Sequence, residues 1–237
     1  MQHSLRSMIG FSIKATDGDI GKVNEFYFDD TTWTIRYMVV ETGNWLSDRK
    51  VLISLVAMGT PDWESRTFPV SLTRDQVRNS PDIDTERPVY RQHETALHTY
   101  YAWPQYWEGG YQGILGITPF PVFEVPLPQE PTGAGRHDNP HLRSSRQVTG
   151  YSIHATNGEI GHVEDFIVDD KNWALCYLVV ETGNWLVGKK VIIPPSWIRS
   201  VNWDEASVDI DRTRESVKNS PDVDPSKAVD PDHPTSL

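Results

Sequence analysis

The pattern of hydrophobic and polar positions along this chain occurs twice. Residues from about 10 to 85 align with residues from about 150 to 225 at a constant offset of 140, without a gap. Of the 76 aligned positions, 34 are identical, and the identical stretches include ETGNWL at 41–46 and again at 181–186. A repeat this strict predicts two structural units with the same fold, so an account of function has to explain both.

An apolar run in each copy predicts the central strand of its unit. The run reads IRYMVVET at 35–42 and LCYLVVET at 175–182, and its middle is apolar at consecutive positions. Such a strand is expected to be buried on both faces. Ahead of it, Val23 and Phe26 lie three positions apart, and the second copy repeats this spacing. Because the spacing departs from the two-residue period of a strand, it predicts a β-bulge in both copies.

Turn and helix signals complete each unit. Asp17-Gly18 favours a two-residue hairpin, and Asn157-Gly158 favours the same turn in the second copy. A capping-box pattern at 73–76 predicts a short terminal helix that Pro81 ends. About six short strands per unit fit a small closed barrel, because closure removes exposed sheet edges. The predicted fold class is mainly β, with two small closed β-barrels from an internal duplication and a helix-containing aromatic linker.

The residues between the two copies predict a partly structured linker. Aromatic and apolar residues recur at helical spacing from Tyr90 to Tyr101, and Pro104 ends this pattern. From about 126 to 145, Pro, Gly and charged residues follow without periodicity, which predicts a flexible stretch. The predicted organisation is a first barrel with its terminal helical turn at 1–85, a linker at 86–147, a second barrel at 148–225, and a disordered acidic, Pro-rich tail at 226–237.

Seven aromatic residues are candidate contacts for a partner. Aromatic side chains anchor many protein interfaces, and five of the seven fall within eight positions of the linker. The linker aromatics could instead pin the linker to the barrel surfaces, and the tryptophan of each NWL turn could instead cover the end of its barrel. Both interpretations stay open at this point. The candidates are Tyr100, Tyr101, Trp103, Tyr106, Trp107, Trp45 and Trp185.

Net charge and composition exclude several classes of partner. The formal net charge is −11, and no cluster of Lys and Arg is present to supply the phosphate contacts that nucleic acids or anionic lipids require. No apolar run approaches the roughly 18 residues of a membrane span, and the N-terminal residues lack the apolar core of a secretory signal. We therefore expect a cytoplasmic protein without a membrane span. Peripheral association with a membrane complex is compatible with this expectation.

No side chain is predicted to perform chemistry. Cys176 lies in an apolar run without a neighbouring His, so it is interpreted as a core residue. Asp29-Asp30, which the second copy repeats, is expected to cap a turn rather than to hold a metal. His137 and His141 have helical spacing, but Asn139-Pro140 between them breaks a helix. We expect no catalytic residue, no metal and no cofactor.

The same residues carry a resemblance to a known family. The order of a strand, DGxIGKV, an acidic turn, a YMVVETG strand and a KVLI strand resembles the PRC-barrel domain, found in the cytoplasmic part of the photosynthetic reaction-centre H subunit and in a bacterial ribosome-maturation factor. The segment that begins SPDIDTERPVYRQHETAL is similar to the one that follows the barrel in bacterial proteins with two such domains. The resemblance implies a module for assembly and contact, with no family-wide catalytic residues.

Two hypotheses about function follow. The first is a non-enzymatic protein-interaction or assembly module, in which two barrels form a pseudo-dimer within one chain and present a surface to a protein partner. The alternative is a small-molecule binder or an enzyme that uses a groove between the barrels, where Glu41, Glu181, the paired aspartates and the tyrosines would meet. The two hypotheses place the site on different surfaces.

Overall fold

A computed structural model describes residues 1–81, 89, 91–108, 141–183 and 189–218. These residues form a mainly β protein with two sheets, one built largely from each repeat. The strands are β1 Gln2–Ser4, β2 Ser12–Ala15, β3 Gly18–Asp29, β4 Thr34–Glu41, β5 Lys50–Ser54, β6 Thr67–Pro69, β7 Leu142–Ser144, β8 Ser152–Ala155, β9 Gly158–Asp169, β10 Leu175–Glu181, β11 Lys190–Ile193, β12 Ile198–Asn202 and β13 Ser207–Ile210.

Short helices connect and flank the strands. The α-helices are α1 Arg74–Arg78, α2 Arg91–Tyr101, α3 Ser145–Val148 and α4 Arg214–Lys218. Single 3₁₀ turns lie at Arg6–Met8, Gly43–Leu46, Leu55–Ala57, Tyr106–Glu108 and Pro195–Trp197. Helix α1 begins with the predicted capping box, in which Thr73 and Gln76 each accept a backbone N–H of the other. Helix α2 confirms the helix predicted in the linker.

The two sheets repeat the same pairing. The first has the order β5-β4-β3-β2-β6 and the second has β11-β10-β9-β8-β13-β12. Where the second unit has β12, the first has two isolated bridges, Met58 with Val70 and Asp62 with Thr67, at the equivalent positions. The described strands therefore differ in number by one while the register is the same. These pairings leave two end strands in each sheet, so closure into a barrel stays a prediction.

The β-bulges predicted in β3 and in its copy β9 are present. The register of β3 against β4 slips between Val23 and Glu25, and β9 against β10 slips at the equivalent position, which confirms the two β-bulges. Gly21 lies in β3 where the chain passes close to β4. A Cβ atom there would come within 2.1 Å of the Glu41 carbonyl oxygen, so only glycine fits.

The N-terminal strands of the two units are exchanged. Strand β1, from the first repeat, pairs with β9 of the second sheet, and β7, which precedes the second repeat, pairs with β3 of the first sheet. Leu142–Ser144 is β1 shifted by 140 positions, and the partner residues are shifted by 140 as well. Reciprocal contacts of this kind relate the two units by an approximate two-fold axis, as in an isologous dimer.

The strand exchange corrects the predicted boundaries. The predicted boundaries place residues 142–147 in the linker and residues 1–4 in the first barrel, but in the structure Leu142–Ser144 belongs to the first sheet and Gln2–Ser4 to the second. The flexible stretch predicted up to residue 145 is wrong for 141–145, because hydrogen bonds to β3 hold this part in place. Residues 126–140 and the tail at 226–237 lie outside the described residues.

One hydrophobic core runs through both units. Phe28 and Phe166 meet with ring centroids 5.7 Å apart, and Trp173 of the second unit packs against Phe26 and Phe68 of the first. The backbones also join, since the Ile35 N–H donates to the Trp173 carbonyl at 2.9 Å and the Leu175 N–H donates to the Trp33 carbonyl at 2.8 Å. The two repeats therefore share their most buried contacts.

Candidate functional site

Helix α2 lies on the outer face of the first sheet. Val89 and Leu97 are buried there, in one cluster with Tyr37, Val39 and Leu52 from strands β4 and β5. The helical spacing of apolar residues that predicted α2 is thus the spacing of its contacts with the sheet. The linker is docked on the first unit along this face.

Most of the predicted linker aromatics face this docked surface. Tyr101 and Trp103 stack with ring centroids 4.1 Å apart, and both pack against the main core. Burial raises the pKa of Tyr101 to about 12. Tyr106 packs against the same cluster as α2, contacts the edge of Trp107, and has the guanidinium of Arg36 4.2 Å from its ring centre. These four side chains are partly buried, which accords with pinning of the linker.

Tyr100 differs from the other linker aromatics because its side chain is 40% exposed. Its hydroxyl donates to the Gln76 carbonyl of α1 at 3.0 Å, and its ring meets Tyr101 edge-on at 4.7 Å. Two independent contacts therefore hold one aromatic ring in place at the surface. A ring fixed in this way loses little conformational entropy when a partner covers it.

A buried polar network ties α2 to the sheet. Glu94 is 0% and His98 is 1% exposed. The Tyr37 hydroxyl lies 3.0 Å from Glu94 Oε2 and 2.8 Å from His98 Nε2, and the Tyr106 hydroxyl donates to the same Glu94 oxygen. His141 Nε2 lies 2.9 Å from Glu94 Oε1. Helix α2, the turn after it and the residue before β7 therefore meet at one carboxylate.

The protons of this network are constrained by its chemistry. His98 Nδ1 lies 2.8 Å from the Pro104 carbonyl oxygen, which can only accept, so Nδ1 carries a proton. The single hydroxyl proton of Tyr37 cannot serve both Glu94 and His98 Nε2.

Trp45 covers the end of the first sheet. Its indole N–H donates to the Ile20 carbonyl at 2.7 Å, and the Arg74 guanidinium lies 4.7 Å from its ring centre. The side chain is partly buried and packs against the core. These contacts favour the structural interpretation of the first NWL turn, while its role in recognition stays a prediction. Trp185 lies outside the described residues.

A groove of about 540 Å³ lies between the two units, near the approximate two-fold axis. Its lining includes the equivalent pair Arg6 and Arg146 and the equivalent pair Glu25 and Asp165. The hydroxyls of the exchanged strands reach these carboxylates, because Ser4 donates to Asp165 and Ser144 donates to Glu25. Burial raises the pKa of Asp165. The residues that directly follow the exchanged strands, Leu5, Arg6, Ser145 and Arg146, are part of the lining of this groove.

The groove differs from the one that the alternative hypothesis requires. Glu181 lines it, but Glu41, the paired aspartates and the described tyrosines do not. Asp29 caps its turn, as predicted, by accepting the N–H groups of Thr31 and Thr32 at 2.9 and 3.0 Å. Asp30 instead binds Arg143 of the exchanged strand at 2.8 Å.

The surroundings of Cys176 and of the possible metal ligands do not point to chemistry. Burial raises the pKa of the half-buried Cys176 thiol to about 11, which opposes formation of the nucleophilic thiolate. Among the described residues, no group of three or more His, Cys, Asp or Glu side chains is placed to hold a metal ion. In the same part of the chain, no helix is long and apolar enough to cross a membrane. His137 lies outside the described residues.

Comparison with known families agrees with the duplicated fold. The model of the PRC-barrel domain matches residues 1–75 and 142–217, which together are more than half of the chain. The chain belongs to the PRC-barrel domain family. Each matched PRC-barrel segment includes one of the exchanged strands, β1 or β7. In sequence, the strand therefore goes with the repeat that follows it, whereas in space it lies in the sheet of the other repeat.

One relative of this PRC-barrel protein is an uncharacterised protein of Deinococcus radiodurans. It is 32% identical over 85 residues, which cover 35% of this chain and 30% of that protein. The match thus spans less than a third of the relative's length.

Sequence reasoning missed three features of the site: the exchanged strands, the Glu94 network and the contacts of Trp33 and Trp173 across the axis. A signal for the presence of β1 and β7, but not for their exchange, was available, because Ser4 and Arg6 are identical to Ser144 and Arg146 at the offset of 140. The repeat therefore begins before residue 10. No comparable signal marks Glu94 and His98, since charged residues in a helix usually face solvent.

Proposed function

We propose that this protein is a non-enzymatic protein-binding or assembly module, made of two closed PRC-type barrels, whose first unit presents the docked linker to a protein partner. The observation that carries the proposal is Tyr100, an exposed aromatic ring that α1 and Tyr101 hold in place. Aromatic residues are enriched among the residues that dominate binding energy, and a pre-organised ring costs less to immobilise.

The asymmetry of the two units supports this proposal. The outer face of the first sheet carries α2 and the aromatic cluster, while Pro234 stands at the position equivalent to Glu94 in the second repeat. A duplicated protein that served only as a rigid spacer would not need this single aromatic surface. Tyr101 contacts this ring directly and Trp103 stacks on Tyr101, while Tyr106 and Trp107 contact each other in the same linker. Trp45 and Trp185 are secondary candidates for contact.

Tyr100 also gives the sharpest test. A photo-reactive phenylalanine analogue at position 100 would be incorporated in the native cell, and the cross-linked partner identified by mass spectrometry. Tyr100→Ala is expected to lower the affinity of that partner at least tenfold, in the range of an interface anchor of about 1.4 kcal/mol or more. Thr99→Ala is the matched control, because Thr99 is the exposed neighbour on the same helix.

Both variants are expected to keep the circular dichroism of the parent, since Tyr100 lies at the surface. An equal affinity of the Tyr100→Ala and Thr99→Ala variants for the partner would refute the proposed surface. Recovery of nucleic acid or lipid alone would refute the proposed class of partner. The proposal includes a cytoplasmic location, which fractionation of the native cell would test.

The groove between the units favours a second candidate, the binding of a small polar molecule. Arg6 and Arg146 line this space of about 540 Å³ together with two buried carboxylates, Glu25 and Asp165. Such a mixture of charges suits a ligand that carries both a cationic and an anionic group. A thermal-shift screen of amino acids and other zwitterions would test this, with Arg146→Ala as the variant that should lose any response.

A further inference from the structure

Strand β7 carries a cation that lies between an aromatic ring of one unit and a carboxylate of the other. The guanidinium of Arg143 lies 3.9 Å from the ring centre of Trp203, and its Nε donates to Asp30 at 2.8 Å. An arginine side chain stays charged throughout the pH range in which proteins usually work. This contact of β7 therefore does not depend on the protonation of Arg143.

Strand β1 has the same arrangement with a titratable group in place of the arginine. His3 stacks on Trp63 with ring centroids 4.1 Å apart, and its Nε2 lies 3.1 Å from Asp170. These three residues are the equivalents, at the offset of 140, of Arg143 and its two partners. The side chain of His3 is 11% exposed. Because the ordinary pKa of histidine is about 6.5, its charge changes close to neutral pH.

We propose that His3 makes the docking of β1 on the second unit sensitive to pH, and that the equivalent docking of β7 on the first unit lacks this control. Mild acidification then acts on one of the two exchanged strands and not on the other. The groove between the units responds as well, because Leu5 and Arg6, directly after β1, are part of its lining and Ser4 donates to Asp165 there.

The groups around His3 set the direction of the effect. Asp170 and Asp169 favour the imidazolium, and so does the face of the Trp63 indole. Burial and the ammonium group of Met1, which lies 2.5 Å from Asp170, oppose it. Burial has the largest effect and lowers the pKa of His3 from its ordinary value. The docked strand therefore favours the neutral imidazole, and protonation favours release of the strand.

The remaining charged groups near β1 are unchanged in the variants of His3. Asp62, Glu64 and Arg66 flank the indole on which His3 stacks; Asp62 accepts the Glu64 N–H at 3.0 Å, and the guanidinium of Arg66 lies over a phenylalanine ring of the core. Asp165 accepts a hydroxyl of β1, and burial raises its pKa, so its protonation acts in the opposite sense. A comparison of His3 variants with the parent at the same pH separates His3 from these groups.

Hydrogen exchange at one backbone amide in each unit measures the docking of the two strands. The Asp170 N–H donates to the Met1 carbonyl at 3.0 Å, and the equivalent Asp30 N–H donates to the His141 carbonyl at 3.0 Å. Protection factors of the full chain, corrected for the intrinsic exchange rate at each pH, would be followed from about pH 7.5 to about pH 5.5, on either side of the ordinary histidine pKa.

A group whose pKa is lowered by docking contributes fully above its ordinary pKa and loses that contribution as the pH falls through the docked pKa. His3→Gln keeps a donor for Asp170 but cannot ionise. On acidification, we expect the Asp170 protection of the parent to fall at least about twofold relative to this variant. The same pH dependence of Asp170 protection in the parent and in His3→Gln would overturn the proposal.

Two reciprocal substitutions provide matched controls. His3→Arg places the side chain of β7 on β1 and is expected to remove the pH dependence that His3 gives to Asp170. Arg143→His places the side chain of β1 on β7 and is expected to lower the Asp30 protection at least about twofold on acidification, relative to the parent at the same pH. Unchanged pH profiles of Asp170 in the first variant and of Asp30 in the second would contradict the proposal.

A nuclear magnetic resonance titration of the His3 imidazole tests the same contact without any substitution. The proposal requires a His3 pKa in the folded chain that is lower than the pKa of the same residue in the urea-unfolded chain. An equal or higher pKa in the folded chain would overturn it, because protonation would then not favour release of β1.

Discussion

The Glu94 network shows how much one side chain can hold together. Glu94 is buried and receives contacts from Tyr37 of β4, Tyr106 of the turn after α2, and His141 ahead of β7. A buried carboxylate is costly unless hydrogen bonds satisfy it. The docking of the linker therefore depends on a few hydroxyl and imidazole groups as well as on Val89 and Leu97.

This dependence gives a matched pair of variants. Tyr37→Phe removes the hydroxyl that lies between Glu94 and His98, and it is expected to lower the free energy of unfolding by about 1–3 kcal/mol. The equivalent Tyr177→Phe removes a hydroxyl that has no hydrogen bond among the described residues, and a change within about 0.5 kcal/mol is expected. Denaturant unfolding measures both. Equal effects of the two substitutions would show that the network does not stabilise the linker.

Asp165 gives a pH dependence with a defined sign. Its burial raises the pKa above that of the unfolded chain, although hydrogen bonds from Ser4, the Phe166 N–H and the Arg6 N–H oppose the rise. Such a group contributes its full stability below the unfolded pKa of about 3.9 and loses that contribution as the pH rises through the folded pKa. The loss of stability arises because the buried carboxyl must ionise inside the protein.

Asp165→Asn cannot ionise but keeps an acceptor for Ser4. We expect the stability of the parent relative to this variant to fall as the pH is raised from about 3.9 upward, and then to level off above the folded pKa. Urea unfolding at a series of pH values measures the difference. A difference that grows in favour of the parent over this range would contradict the assignment.

At the scale of elements, the exchanged strands β1 and β7 set the arrangement of the units. Each is three residues long, yet each carries side-chain contacts in addition to its ladder. His3 lies 3.1 Å from Asp170, and the equivalent Arg143 binds Asp30 at 2.8 Å. His3 also stacks on Trp63 of the first unit, with ring centroids 4.1 Å apart. Strand β1 thus bridges the two units.

Removal of residues 2–4 is expected to destabilise the second unit, because β1 pairs with β9 although it belongs to the first repeat in sequence. The exposed edge of β9 should lose protection from hydrogen exchange, because its partners Ile167 to Asp169 lose their ladder. Strand β3 should keep its protection, since β7 still covers it. Loss of protection in β3 with β9 unchanged would mean that the strands are not exchanged.

At the scale of the whole molecule, the two repeats share one hydrophobic core. The core is continuous across the axis, and Trp33 and Trp173 exchange backbone hydrogen bonds with the opposite unit. Both tryptophans have a positive φ, of 50° and 60°, which is unfavourable for a bulky side chain and persists only where surrounding contacts hold it. The junction is therefore a specific structure and not a loose contact between two domains.

A single cooperative unfolding transition follows from this junction. Tryptophan fluorescence and far-ultraviolet circular dichroism should give the same midpoint in denaturant, although the chain contains two repeats. Trp173→Ala removes a large side chain from the shared core and should cost about 3–5 kcal/mol while the transition stays single. Two separated transitions in the parent protein would show that the units fold independently.

Several features of the fold depend on local or repeated patterns and could be predicted from the amino-acid sequence. The duplication, the central strand β4 and its copy β10, the bulges near Val23 and Val163, the capping box at Thr73 and the helix α2 all follow from periodicity or turn chemistry. The family follows from the same positions, because these apolar and glycine residues are the ones that build each sheet.

Other features depend on contacts between residues that are distant in the chain, and these were visible only once the chain was folded. A strand of three residues carries no periodic pattern, so the pairing of β1 with β9, more than 160 positions away, could not be predicted. The burial of Glu94 and His98 was equally hidden, because the partners that make a buried site acceptable for polar helix residues, such as Tyr37, Tyr106 and His141, are distant in sequence. The sequence spacing of the linker aromatics is the same whether they pack on the sheet or face a partner. The position of α2 on the sheet is what leaves Tyr100 exposed while its neighbours are packed.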